Sequence, residues 1–171
     1  MKIFYIAGFG GQKNSYTFTN LLKEYSKIQF IEYDNENPNL AYKQIEEQLS
    51  NSISEKSLII GQSLGGFWAE IFAIEKELDA ILINPSFEPN ISLKKYDINF
   101  NYLEDFTKYK KNNSIAKKIS IFLSFKDTIV NSKPVIEKYT NKAKIIYIDE
   151  NHQIKNLRPL FDEIELYINK R

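Results

Sequence analysis

The chain has 171 residues, 43% hydrophobic and 14% aromatic, which is enough for one compact domain with its own core and too few for a second catalytic domain. Its 23 basic and 22 acidic residues leave a formal charge of +1, which gives no electrostatic footprint for nucleic acid. With no cysteine and one histidine, disulfides are excluded and a thiolate and imidazole metal site is disfavoured; a carboxylate magnesium or calcium site stays open but nothing requires one, and neither a metal nor a cofactor is expected.

The first apolar stretch, Ile3 to Ala7, ends at Gly8 and is shorter than a signal-peptide core. No later run approaches the roughly 20 apolar residues of a membrane span. A soluble, cytoplasmic protein with no membrane partner is expected.

In chain order, β-branched and aromatic runs alternate with segments of helical period. A strand over Lys2–Ala7 precedes a helix over Tyr16–Ser26, and a strand over Ile28–Tyr33 precedes a helix over Pro38–Ser50. Next come a strand over Ser57–Gly61, a helix over Leu64–Glu77 and a strand over Ala80–Asn84. Beyond a long interruption lie a strand over Ile119–Ser124, a helix over Lys133–Thr140, a strand over Lys144–Ile148 and a helix over Leu157–Asn169.

Pro38 and Pro134 suit first-turn positions, where a missing N–H costs nothing. The alternation predicts a single domain over residues 1–171: a three-layer α/β/α sandwich around a mainly parallel sheet of about six strands. The interruption, Ser86 to Lys118, is too long for a simple connection. Its aromatics (Phe87, Tyr96, Phe100, Tyr102, Phe106, Tyr109) predict an ordered cap with a helix near Tyr102 to Lys111.

Chemistry concentrates in Leu58-Ile59-Ile60-Gly61-Gln62-Ser63-Leu64-Gly65-Gly66, a G-x-S-x-G motif between an apolar strand and a helix. A sharp turn there strains the serine backbone and drives the side chain out at the sheet's C-terminal edge, while the glycines remove side chains that would collide. Ser63 is therefore the candidate nucleophile. The alternative is a tight glycine turn with an incidental serine.

A serine needs a base that titrates near neutrality. His152, just past the last strand, is the only imidazole available. Asp127, past the fifth strand, is the candidate acid, and the order Ser, Asp, His fits the elbow. Asp149 and Glu150 are rivals whose closeness to His152 in sequence suits them better to a turn.

The oxyanion donors are expected to be the Leu64 amide and, from the loop Ala7-Gly8-Phe9-Gly10-Gly11, the Phe9 amide. Gly8, Gly10, Gln62 and Phe87 are assigned to the substrate pocket. A dinucleotide-binding loop is the alternative for these glycines, but their spacing does not match G-x-G-x-x-G.

With these residues the chain resembles the α/β-hydrolase superfamily and, within it, the small bacterial YqiA-like esterases. The resemblance runs through the glycine loop, the Gln62 to Phe67 elbow, Ile83-Asn84-Pro85-Ser86 with Pro89, Lys126 to Val130 and Glu150-Asn151-His152. It implies a reduced hydrolase sheet and esterase activity on short acyl esters. Such enzymes usually carry His before the first glycine of the oxyanion loop, where this chain has Ala7, a change expected to alter loop rigidity more than catalysis.

The expected reaction is acyl transfer to water from a small-molecule ester. The cap has seven lysines against four acids, a charge of +3, which also admits a thioester of coenzyme A or an acyl carrier protein. A binding module without turnover, or a doubly wound nucleotide or signalling domain, is the rival from another class.

Overall fold

The computed structural model describes residues 1–54, 56–111, 114–116 and 118–169. Six strands, β1 (Lys2–Ile6), β2 (Gln29–Ile31), β3 (Ser57–Gln62), β4 (Asp79–Ile83), β5 (Lys118–Ser124) and β6 (Lys144–Ile148), form one parallel sheet in the order β2-β1-β3-β4-β5-β6. The order reverses direction between β1 and β3. The loops after these two strands therefore open side by side at the C-terminal edge, where parallel sheets place their ligands.

The helices are α1 (Tyr16–Glu24), α2 (Pro38–Ser50), α3 (Leu64–Glu75), α4 (Pro89–Ser92), α5 (Phe100–Asp105), α6 (Lys133–Tyr139) and α7 (Arg158–Asn169). Successive strand side chains point to opposite faces. Phe4, Ile6, Ile59, Leu82 and Ile121 pack with Ala41 and Ile45 of α2, Phe67 and Phe72 of α3, and Val135 of α6. Ile3, Tyr5, Leu58, Ile60 and Ile81 pack with Phe18 and Leu21 of α1 and Leu160 and Ile164 of α7. The three-layer sandwich expected from the alternation is thus present. No helix among the described residues is long and apolar enough to cross a membrane.

Local chemistry explains the element ends. Asn37 caps α2, its Oδ1 accepting from the Asn39 and Leu40 amides at 3.1 and 3.2 Å, with Pro38 in the first turn. β2 is shorter than expected. As an edge strand it pairs only Gln29 to Ile31 with β1, and the next amide, Glu32 N–H, donates to Gln48 Oε1 instead.

The expected cap helix also differs: α5 starts at Phe100, behind an Asn99 cap, and passes into a 3-10 turn over Phe106–Tyr109. In a 3-10 turn residues i and i+3 eclipse, which turns both Phe106 and Tyr109 onto Trp68 of α3, with ring centroids at 5.9 and 5.4 Å. Trp68 is fully buried beneath them. Asn112, Asn113 and Lys117 of the expected cap lie outside the described residues.

Candidate active site

The elbow is built by close approach. Ser63 lies between β3 and α3 at φ 54° and ψ −119°, a region that L-residues rarely occupy. The turn is tight because α3 begins almost on the sheet. A Cβ on Gly65 would fall 2.1 Å from the Ile6 carbonyl oxygen, and one on Gly66 would fall 2.7 Å from the Pro85 Cβ. Ser63 N–H donates to Ile83 O at 2.9 Å, and Ser63 O accepts from the amides of Gly66 and Ser86 at 2.9 and 3.0 Å. The backbone is thus held from both sides while the side chain reaches a cavity.

His152 and Asp127 meet at the same edge. His152 Nδ1 and Asp127 Oδ2 are 2.8 Å apart, and their side chains are only 16% and 7% exposed. The carboxylate can only accept, so Nδ1 carries the proton and Nε2 is left as an acceptor. Asp127 Oδ1 takes the amides of Ile129 and Val130 at 2.8 and 3.1 Å, which fixes the carboxylate plane. Burial raises the cost of its charge, but the hydrogen bonds from His152 and these amides outweigh it and hold the Asp127 carboxyl below the usual carboxylate range. The rivals are engaged elsewhere: Asp149 pairs with Lys126 at 2.8 Å, and Glu150 accepts from the Asn156 amide at 3.1 Å.

The loop after β1 closes the site. A Cβ on Gly8 would lie 2.9 Å from the Ser63 Cβ, so this loop sits directly against the elbow. Tyr33 Oη donates to the Ala7 carbonyl at 2.7 Å and anchors the loop. Among the described residues the amides of Leu64 and Phe9, the two expected oxyanion donors, have no acceptor.

Ser63 and His152 border one cavity of about 760 Å³, with Gly8, Phe9, Gln62, Leu93, Tyr96 and Ile154 in its wall. That volume suits a small organic ligand. The Phe9 ring stacks on Tyr96 of the cap at 4.5 Å and forms one side of the mouth. Gln62 is held by Tyr5 Oη, which donates to its Oε1 at 2.9 Å.

Two pocket assignments are corrected. Phe87 is buried on the α6 side, its ring 5.9 Å from that of Tyr139 and its centroid 5.5 Å from Lys138 Nζ, and it borders a different surface cavity. The apolar run of the cap folds it inward with the core. Gly10 does not line the Ser63 cavity: it turns the loop at φ 69°, with open space around its Cα, and its N–H donates to Asn35 Oδ1 at 2.6 Å. Sequence reasoning did not single out Tyr33 or Lys155 as part of this edge, although Lys155 follows His152 by three residues, and it quoted Asn84 without giving it a role.

A parallel sheet that carries a strained serine elbow, with an imidazole and carboxylate pair at the same edge, is the architecture of an α/β hydrolase. Solved structures agree on the fold. The mouse alpha/beta hydrolase domain-containing protein 10 superposes with a TM-score of 0.82 at 15% identity, over 99% of this chain and 90% of that one. Est1E from Butyrivibrio proteoclasticus, solved with ferulic acid bound, gives 0.75 at 14% identity, over 99% and 88%. The Pyrococcus furiosus esterase Pf2001 gives 0.66 at 17% identity, over 99% and 78%.

Within that class the model of UPF0227, an uncharacterised protein family, matches residues 2–168, and the chain belongs to this family. It is 26% identical over 129 residues to UPF0227 protein ECA1814 of Pectobacterium atrosepticum, and equally to UPF0227 protein YcfP of Escherichia coli, covering 73% of this chain and 72% of each relative. The resemblance read from the sequence is therefore upheld for superfamily and family alike.

Two stability measurements check this geometry. Both Ser63→Gly and Ser63→Ala delete the hydroxyl, but only glycine relaxes the backbone. Strain of about 1–3 kcal/mol less about 0.4–1 kcal/mol of unfolded-chain entropy should leave Ser63→Gly more stable than Ser63→Ala by about 1 kcal/mol in urea denaturation. Equal stabilities would mean an unstrained elbow.

The second concerns Asp127. A carboxyl whose folded pKa lies below its unfolded one contributes stability above about pH 4 and loses it as pH falls through the folded value. The advantage of wild type over Asp127→Asn should therefore shrink on acidification from about pH 6 to about pH 3. Parallel curves would contradict the depressed carboxyl.

Proposed function

We propose that this chain is a serine hydrolase that cleaves short acyl esters through Ser63, His152 and Asp127. The observation that carries the reading is the 2.8 Å His152 Nδ1 to Asp127 Oδ2 bond at the rim of the cavity that also holds the strained Ser63. The esterases among the fold neighbours support it.

In this mechanism Ser63 Oγ attacks the ester carbonyl carbon while His152 Nε2 takes its proton. The carbonyl oxygen becomes an oxyanion facing the Leu64 and Phe9 amides. The C–O bond to the alcohol then breaks, and the alcohol leaves with the proton from Nε2. Water, deprotonated by Nε2, attacks the acyl-serine, and collapse of the second tetrahedral species returns the proton to Ser63 and releases the acid. Asp127 holds the imidazole tautomer and offsets its charge when protonated. A cytoplasmic setting and a substrate small enough for the cavity complete the proposal.

A fluorophosphonate probe tests for the activated serine without a guess at substrate. The expected result is an adduct on Ser63 by mass spectrometry, lost in His152→Ala. Folded protein that takes up no probe would overturn the reading and favour a binding module on the hydrolase fold.

One observation favours a second reading in which the substrate bears an acidic group, as a coenzyme A or carrier-protein thioester does. Among the described residues, Lys155 is the only ionisable cationic residue besides His152 in the cavity wall, and none of the wall residues is a carboxylate. Lys94 and Lys95 flank the wall residues Leu93 and Tyr96, and among the described residues neither has a carboxylate within ion-pair distance. Lys110 and Lys111 are instead engaged by Glu88 and Glu75 at 3.6 and 2.6 Å. Lys155→Glu is expected to lower kcat/KM for 4-nitrophenyl hydrogen succinate about tenfold while leaving 4-nitrophenyl butyrate nearly unchanged. Equal effects on the two esters would remove this reading.

A further inference from the structure

The segment Asn84-Pro85-Ser86 stands out in the sequence, yet the mechanism makes no use of it. Structurally it begins where β4 ends, and Asn84 turns there at φ 43°, a left-handed conformation that asparagine tolerates better than most residues. Its backbone N–H donates to Phe122 O at 2.9 Å and carries the β4 to β5 pairing one residue further.

The side chain is then fully committed. Asn84 Oδ1 accepts from Ser124 N–H at 2.8 Å, and Nδ2 donates to Ser124 Oγ at 2.8 Å and to the His152 carbonyl at 2.9 Å, with Asn151 O a longer 3.5 Å away. The residue is 2% exposed and does not border the Ser63 cavity. Its neighbours in sequence grip the elbow: Ile83 O takes the Ser63 amide, Ser86 N–H donates to Ser63 O, and Pro85 packs on Gly66. The end of β4 therefore touches the nucleophile turn, the strand end leading to Asp127, and the backbone of the histidine itself.

We propose that Asn84 is a positioning residue that sets the His152 imidazole relative to Ser63 by holding the His152 carbonyl to the ends of β4 and β5. The proposal rests on the serine-hydrolase reading. The His152 to Asp127 bond fixes the ring at Nδ1, but the main chain of the histidine follows a loop, and the bond from Asn84 Nδ2 ties that loop to the sheet. An amide is needed because the site demands an acceptor toward Ser124 N–H and a donor toward His152 O at once, while the Ser124 hydroxyl can serve either way. A carboxylate of the same shape could only accept, and it would face the His152 carbonyl oxygen with like partial charge.

Two variants test this with 4-nitrophenyl butyrate. Asn84→Gly removes the side chain at a φ that glycine adopts freely, so it is the deletion best suited to fold. It is expected to lower kcat about tenfold or more with KM nearly unchanged, and to slow fluorophosphonate labelling of Ser63 in proportion. Asn84→Asp keeps the shape. Its defect relative to wild type is expected to lessen as pH is lowered from 8 to 6, because a buried carboxyl beside a carbonyl regains a donor on protonation.

A purely structural role would make the loss of turnover follow the loss of folded protein, so kcat is referred to the folded fraction measured by circular dichroism at each pH, where only a positioning role leaves a pH-dependent defect. Folded Asn84→Gly with wild-type kcat, or a loss confined to KM, would overturn the proposal, as would an Asn84→Asp defect that is constant with pH. If Asn84→Gly does not fold, the pH dependence of Asn84→Asp decides alone. Wild-type protein that the fluorophosphonate does not label would remove the hydrolase reading itself, and the proposal with it. Wild-type and variant proteins labelled at equal rates would remove only the role of Asn84.

Discussion

The rest of the molecule is arranged around one backbone conformation, the turn at Ser63. An L-residue at φ 54° and ψ −119° persists only when its surroundings over-determine it. Here three things do so. The first turn of α3 lies so close to β1 that position 65 has no room for a side chain, the Ser63 amide and carbonyl are claimed by residues of the β4 end, and the apolar face of α3 is buried along its length. The strain is offset by the burial of Phe67, Trp68, Ile71 and Phe72, which also seat the cap. Packing on one side of α3 and the strained turn at its N-terminus are thus two results of the same placement.

The polar groups around the site obey a complementary rule. At this edge of the sheet the strands run out of backbone partners, and side chains take over. Tyr33 reaches the Ala7 carbonyl, Asp127 takes two amides of its own loop, and Asn84 joins Ser124 to His152. A buried carboxylate, Glu70, follows the same rule away from the site. Burial pushes its carboxyl up, while Lys138 at 2.8 Å and Tyr139 at 2.6 Å supply the partners that let α3 and α6 close over it.

What the sequence made legible was local. The elbow, the proline-started helices and the parallel alternation each depend on residues within a few positions of one another, and all appear where expected. Asp127 was preferred to Asp149 and Glu150 because it lies past the fifth strand while they crowd His152 in sequence, and it is the Asp127 carboxylate that meets the His152 ring. Partnerships across the chain were not legible. Tyr33 and Ala7 are 26 residues apart, and Asn84 and His152 are 68 apart, so nothing in either local sequence announces the bond. Phe87 was misplaced for the same reason: its position past β4 suggested the pocket, whereas the ring of Tyr139 on α6 draws it inward. The cap helix began earlier and ended in a tighter turn because Trp68, far upstream, dictates where Phe106 and Tyr109 must point.

Trp68 carries a further consequence. It is the single tryptophan of the chain, five residues beyond Ser63, and its indole Nε1 is buried without an acceptor among the described residues beneath the rings of Phe106 and Tyr109. Lifting the cap would admit water to that N–H and raise the polarity around the ring. Tryptophan emission thus reports on whether the aromatic roof is seated, and it does so from within the helix that follows the Ser63 turn.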